Sequence, residues 1–432
     1  MSATKLLLYL AIGMIPLGRL MSEPLFESAG KAAPVSPIDA ILGLLILVYC
    51  GTKLLHSKLP MWNVPGFKAI ALFPLWCLVS LAINKLRFGL SIGETAFSGL
   101  YLARWIMYGS LYFITYEVAA DKPKVRKLVG WLLLGALAFA AVGIIQVIFF
   151  PYDFALVFHP EARAYLDFDP QGRRLVSTFF DPNIAAGFLL IPAMITVSFC
   201  IHGQRRWRVP CILLMAALIA TLSRGGAVGF LVGLFCLLKV SPAARKGILK
   251  VLLAVAVLLF AMYPVLRDEI ELRNKLTVTD LSAAGRLAEW TTALGAIRDN
   301  WITGIGFNTF GYVWPQYGDV REGASAFGME NDFVMILLLT GVTGGLIYFR
   351  MYRTMLAPLA ELGRRSRDHW EQAFGRGVWA ATLAVAVSSF FTTLILYPHI
   401  MGLLWILWAL GKRLGTWTPT ANQAGVSALA PA

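Results

Sequence analysis

A small set of arginines, carboxylates and amides carries most of the chemistry this sequence could do. Arg174 opens the run Arg174-Leu-Val-Ser-Thr-Phe-Phe-Asp181-Pro182-Asn183, which leads straight into an apolar stretch. Arg224 sits in Thr221-Leu-Ser223-Arg224-Gly225-Gly226, a polar tight turn between two apolar runs, where glycine lets the backbone bend. Arg104 lies inside an apolar run. An arginine at the centre of a bilayer costs roughly 2.5–3.5 kcal/mol, so Arg104 calls for an anionic partner or a wet cavity. Glu330 belongs to Gly328-Met-Glu330-Asn331-Asp332-Phe333, a carboxylate and amide cluster just before another apolar run. His399, after Tyr397-Pro398, is a minor candidate for a base or a phosphate contact. A guanidinium presents a fixed fork of donors that matches phosphate oxygens, and a partly desolvated carboxylate can take a proton from a sugar hydroxyl. Arginines with one carboxylate therefore suit displacement of a lipid diphosphate. Charge growing on the departing diphosphate is stabilised electrostatically while the carboxylate activates the attacking hydroxyl.

Each feature also has a plainer reading. Asp181 or Asn183 can cap a helix with Pro182 in its first turn, Arg224 can be a snorkelling side chain, and acidic residues suit the first turn of any helix. His399 can be an ordinary loop residue.

The elements that must position these groups follow from composition. The chain of 432 residues is 58% hydrophobic and 14% charged, with a mean hydropathy of +0.68. That balance is far more apolar than a soluble domain. Apolar runs long enough to span hydrocarbon, or nearly so with snorkelling flanks, are expected at 5–20, 37–54, 69–83, 97–116, 128–150, 184–201, 209–222, 227–240, 248–266, 333–349, 377–396 and 400–410. The fold class is therefore all-α: a polytopic membrane protein with about twelve transmembrane helices. One membrane domain is expected over 1–414, followed by a disordered cytoplasmic tail at 415–432 of Ala, Thr and Pro character. The first apolar run has no small-residue cleavage site after it and is taken as the first helix rather than a signal peptide.

The net charge of +14 comes from Lys and Arg set in alternate loops. They are Lys53 and Lys58; Lys122, Lys124, Arg126 and Lys127; Arg205, Arg206 and Arg208; Arg245, Lys246 and Lys250; Arg350, Arg353, Arg364, Arg365 and Arg367; and Lys412 and Arg413. These are orientation signals, not a nucleic-acid surface, and they put both termini in the cytoplasm. Segments 151–183 and 267–330 then face outward, the latter a large loop between the ninth and tenth helices. Within it Leu287, Trp290, Leu294 and Ile297 recur at helical spacing and predict an amphipathic helix. On this topology Arg174, Asn183, Arg224 and Glu330, with Arg104 more deeply placed, converge on one outward cavity.

Other signals are weak. Cys50, Cys77, Cys200, Cys211 and Cys236 lie in or at the ends of apolar runs, as packing residues do. The five histidines show no ligand spacing, so no metal site is predicted. Gly304-Ile-Gly306 lacks the strand and third glycine of a nucleotide loop and reads as turn chemistry.

Taken in order, several fragments resemble the O-antigen ligase and O-antigen polymerase superfamily of bacterial inner-membrane glycosyltransferases. They are the Arg174 to Asn183 run, Ser223-Arg224-Gly225, Gly285-Arg286 with Trp290, Gly304-Ile-Gly306-Phe-Asn-Thr-Phe310, and the polar start of the tenth helix followed by Gly341 and Gly344. The resemblance implies a GT-C type helical fold with its site facing the periplasm. It implies an undecaprenyl-diphosphate-linked oligosaccharide donor, a glycan or lipid acceptor, and no metal, nucleotide or other cofactor. It also implies that Arg174 and Arg224 contact the donor diphosphate, with Arg286 a further site or structural residue; Arg104, expected at the same face, is counted with the donor contacts by its position. Asn183, Asp181, Asn331 and His399 would support that site. One departure stands out. Ligases of the family commonly carry a His-Asn pair where this chain has Glu330-Asn331, so either Glu330 is the base or the acceptor is not the usual lipid A core. A polysaccharide polymerase is therefore favoured over a ligase. The rival from another class is a transporter or flippase for the same lipid-linked glycans, but transporters tend to place essential charges near the midplane on broken helices in repeated halves.

Overall fold

The computed structural model describes residues 3–20, 22–28, 31–55, 63–150, 154–158, 172–240, 245–277, 281–317 and 330–417. The main helices are α1 (Ala3–Met14), α2 (Pro37–Leu55), α3 (Phe67–Phe88), α4 (Ile92–Val118), α5 (Lys122–Phe149), α6 (Pro182–Ile201), α7 (Arg208–Ala220), α8 (Arg224–Val240), α9 (Arg245–Thr277), α10 (Leu281–Asp299), α11 (Asp332–Arg365), α12 (His369–Ser388) and α13 (Pro398–Trp417). Each expected apolar run overlaps one of these helices. By length and composition, α2, α3, α5, α6, α9 and α11 are long and apolar enough to cross a membrane.

Among the described residues, one hairpin departs from the all-α expectation. β1 (Glu23–Ser28) and β2 (Lys31–Val35) form a two-stranded antiparallel hairpin between α1 and α2. Two strands paired only with each other add no sheet layer to the helical body.

At the centre stands α6, with α7, α8 and α12 packed against it. Seventeen of its twenty residues are buried. Small residues permit this closeness, because a Cβ on Gly377 would lie 2.9 Å from the Ile195 Cα and one on Gly229 would lie 2.7 Å from the Ala384 carbonyl. Peripheral helices do the opposite and turn large apolar side chains outward: Leu47 is 71% exposed, Leu86 85% and Phe260 84%. Such a belt is unfavourable in water and natural in lipid.

Basic residues at the opposite end from Arg174 tie helices together. Lys53 pairs with Glu117, Lys122 with Glu371 and Arg126 with Asp368. Arg376 bonds His202, and Arg413 bonds the Ala119 carbonyl. The expected basic loops thus meet at one end of the bundle.

Several boundaries shift for local reasons. α1 ends at Met14, followed by a 3-10 turn with Pro16 and then Gly18 at φ 53. Residues 389–396 leave the helical path, so α12 stops at Ser388. α13 continues to Trp417, past the expected boundary at 414, and 418–432 lie outside the described residues, as do 159–171. The expected amphipathic helix is α10, but its buried face is Ala293 and Ala296 with Trp290 and Ile297 packed beside them, while Leu294 is 60% exposed. Alanine at the contact allows a closer approach than leucine does.

α11 is broken at Gly341, whose φ of 67 and ψ of −178 are non-helical. The segment 301–306 fills the break. Ile305 and Gly306 N–H donate to the Leu338 and Leu339 carbonyls, and Val342 N–H donates to the Trp301 carbonyl. Carbonyls freed by the break are therefore satisfied by protein, as they must be away from water. A Cβ on Gly304 would meet the Thr340 nitrogen at 2.5 Å, and one on Gly341 the Ile302 carbonyl at 2.2 Å. Gly304-Ile-Gly306 is thus more than turn chemistry: it is a backbone docking motif.

Candidate functional site

Arg174 is 4% exposed. Its Nε donates to the Thr221 carbonyl at 2.9 Å and its Nη2 to Asn183 Oδ1 at 3.2 Å. Ser223 Oγ donates to the same Asn183 oxygen at 2.9 Å. The run before α6 and the turn before α8 are thereby joined through one amide. Leu175 N–H also donates to the Ala220 carbonyl. Beneath them Gln146 of α5 donates to the Arg174 carbonyl at 3.0 Å and accepts from Val176 and Ser177. Sequence reasoning missed Gln146, although a lone amide inside an apolar run was a visible signal.

Asp181 caps α6, accepting from the Asn183 and Ile184 N–H groups at 2.7 and 2.9 Å. Its expected capping role and its place beside Arg174 are compatible. Among described non-glycine residues, positive φ occurs at Ser177, Phe180, Leu222 and Asn308. Three of these flank Arg174 or Arg224, and strained backbone of this kind clusters at functional sites because the surrounding structure must enforce it.

Arg224 is exposed at the start of α8, and the adjoining Gly225 abuts Phe391. Phe391 belongs to residues 389–397, the link between α12 and α13. Asp332 clamps that link: its Oδ2 accepts from Leu394 and Ile395 N–H at 2.6 and 2.7 Å, while its own N–H donates to the Ser389 carbonyl. Phe333 stacks on Phe390 with centroids 4.3 Å apart. Glu330 is half-buried directly before this clamp, and Asn331 caps α11 by accepting from Phe333 and Val334 N–H. The structure therefore brings the Arg174, Asn183 and Arg224 group towards the Glu330 segment through the 389–397 link.

Arg104 has the anionic partner that its place inside an apolar run calls for. Its Nε and Nη2 reach Asp39 at 3.0 and 2.6 Å, and Asp39 in turn accepts from the Ser36 N–H and hydroxyl. The fold itself supplies the anion that the depth of Arg104 demands, so no diphosphate is needed to account for it. His399 is not in an open loop but in the first turn of α13, 4% exposed, with its ring against Tyr108, Phe179 and Tyr397. Arg19 bonds the Tyr397 hydroxyl; burial pushes that phenol up, and the Arg19 and Arg104 guanidiniums oppose the rise. Neither Asp39 nor Arg19 was singled out from sequence. Arg286 lies in α10, and its side chain is outside the described residues.

Residues 209–349, about a third of the chain, match the family model described as O-antigen ligase. This match supports the resemblance to the O-antigen ligase and polymerase superfamily over that region. It covers Arg224, Arg286 and Glu330 but not Arg174, Asn183 or His399. No curated protein matches the chain. The matched region and the six helices long and apolar enough to cross a membrane agree with a membrane protein of O-antigen ligase or polymerase type.

Proposed function

We propose that this protein is a polysaccharide polymerase that moves glycan from an undecaprenyl-diphosphate-linked donor on the periplasmic face of a bacterial inner membrane, with neither metal nor nucleotide. The supporting observation is the bonded group of Arg174, Asn183 and Ser223 beside Arg224, at the end of the bundle opposite the basic loops. Arg174 and Arg224 hold the donor diphosphate. The first is locked in orientation by the Thr221 carbonyl and Asn183, and the second is exposed to meet the ligand. Glu330 accepts the proton of the attacking sugar hydroxyl as the anomeric carbon leaves the diphosphate oxygen, and the arginines take up the charge that this oxygen gains. In this reading all twelve apolar helices cross the membrane in a GT-C type bundle over 1–414, both termini are cytoplasmic, and Arg286 is a further donor or structural residue.

The ligase reading keeps the same donor site and differs in the acceptor. The description of the matched family favours it; Glu330 in place of the usual family histidine favours the polymerase. A flippase gains little from the break in α11, because the chain's own backbone fills it. The test is purified protein with lipid-linked oligosaccharide and no other acceptor. A ladder of lengthened lipid-linked chains is the expected product. Transfer that requires added lipid A core would make the protein a ligase.

A further inference from the structure

A cavity of about 520 Å³ opens among the basic residues, lined by Arg126, Lys127 and Gly130 of α5 and by Arg206, Trp207 and Pro210 around the start of α7. It is remote from Arg174. Along α5, about 30 Å of helix at 1.5 Å per residue separates Arg126 from Gln146, roughly one hydrocarbon thickness.

Its lining divides in two. Arg126 is bonded to Asp368 and lies over the Trp370 ring, which fixes it in place and offsets its charge. Lys127 and Arg206 are exposed, and neither has a carboxylate partner among the described ion pairs. Their charge is the net charge of the cavity. The Arg206 guanidinium rests over Trp207, which stacks on Phe199, so the head of Arg206 is held at the mouth. The other walls are apolar. A Cβ on Gly130 would meet nothing within 4 Å. Beyond it the surface continues through exposed Leu134 on α5 and Val209 on α7. A positive mouth beside an exposed apolar surface matches an anionic phospholipid, with its phosphate on the cations and its chain along the helices.

We propose that this cavity binds the headgroup of an anionic phospholipid from the leaflet at the basic end of the bundle. The site uses none of the residues assigned to glycan transfer and stands whether the protein is a polymerase or a ligase.

The full chain in neutral detergent would be titrated with phosphatidylglycerol, and bound lipid read by native mass spectrometry. Saturable binding is expected, with phosphatidylcholine binding at least about tenfold more weakly. The double variant Lys127→Gln, Arg206→Gln should lose about tenfold or more in phosphatidylglycerol affinity, since each cation near an anionic lipid surface contributes on the order of 1 kcal/mol. Lys127→Arg with Arg206→Lys should retain binding. Should the neutral variant not fold, Gly130→Leu fills open space without a clash and should block the acyl path, with the same loss. Equal binding of phosphatidylcholine, or unchanged affinity in the neutral and Gly130→Leu variants, would overturn the site. Full displacement of lipid by inorganic phosphate at matched concentration would also overturn it, leaving a small-anion site.

Discussion

Arg174 Nη2 donates to Asn183 Oδ1 across 3.2 Å, on the oxygen that also receives the Ser223 hydroxyl. One amide thus sets the aim of a buried guanidinium relative to the turn that carries Arg224. A bidentate grip on diphosphate needs the planar fork, which lysine lacks at equal charge. Arg174→Lys and Arg224→Lys are therefore each expected to lower glycan transfer by at least about tenfold at normal protein abundance, with the larger part of the loss in donor affinity. Donor titrations on both variants check this; full activity in both would argue against direct phosphate recognition.

Asp39 and Arg104 form an ion pair between α2 and α4, with side chains 10% and 17% exposed. Breaking a buried pair typically costs 3–5 kcal/mol, because it strands the remaining charge. Partial exposure here points to the lower end, about 3 kcal/mol. Asp39→Asn and Arg104→Gln should each reduce the folded fraction, and the double variant should recover part of the loss. Thermal melting of the three proteins decides it. A stable Arg104→Gln protein that has lost donor binding would return Arg104 to the ligand site.

The helices were legible because apolar runs of this length have few alternatives. So was the one-sided grouping, since the basic loops and the Arg174, Arg224 and Glu330 motifs fall at opposite ends. What stayed hidden depends on contacts far apart in sequence. Asp332 reads as an ordinary first-turn acid, yet its carboxylate receives the amides of Leu394 and Ile395 and ends α12 early. Arg104 visibly needs an anion, but nothing local names Asp39, 65 positions away. Gly304 and Gly341 read as a turn and a helix glycine until their backbones meet.

Asp332 is fully buried, and its loss would leave two amides without an acceptor, each costing on the order of 1–3 kcal/mol. Asp332→Ala should sharply reduce folded protein, as read by size-exclusion profile and melting temperature. A normally folded but inactive Asp332→Ala protein would instead put this carboxylate in the chemistry.

Gly304→Ala and Gly341→Ala should each destabilise the bundle by more than about 1 kcal/mol, since both combine a left-handed φ with a clash against backbone. Gly295→Ala, where a Cβ would meet nothing within 4 Å, is the control and should be neutral or stabilising. Melting curves of the three variants read the difference.

Glu330→Gln is the most direct test of the proposed chemistry. Glutamine keeps the size of the side chain and removes its capacity to accept a proton, and general-base catalysis typically contributes about 10²–10⁴-fold. The measurement is the rate at which reconstituted protein releases lipid diphosphate from lipid-linked oligosaccharide. A fall of that order, with donor affinity and protein abundance unchanged, is the expected result; release at the unmodified rate in Glu330→Gln would contradict it and leave Glu330 as a helix-start residue.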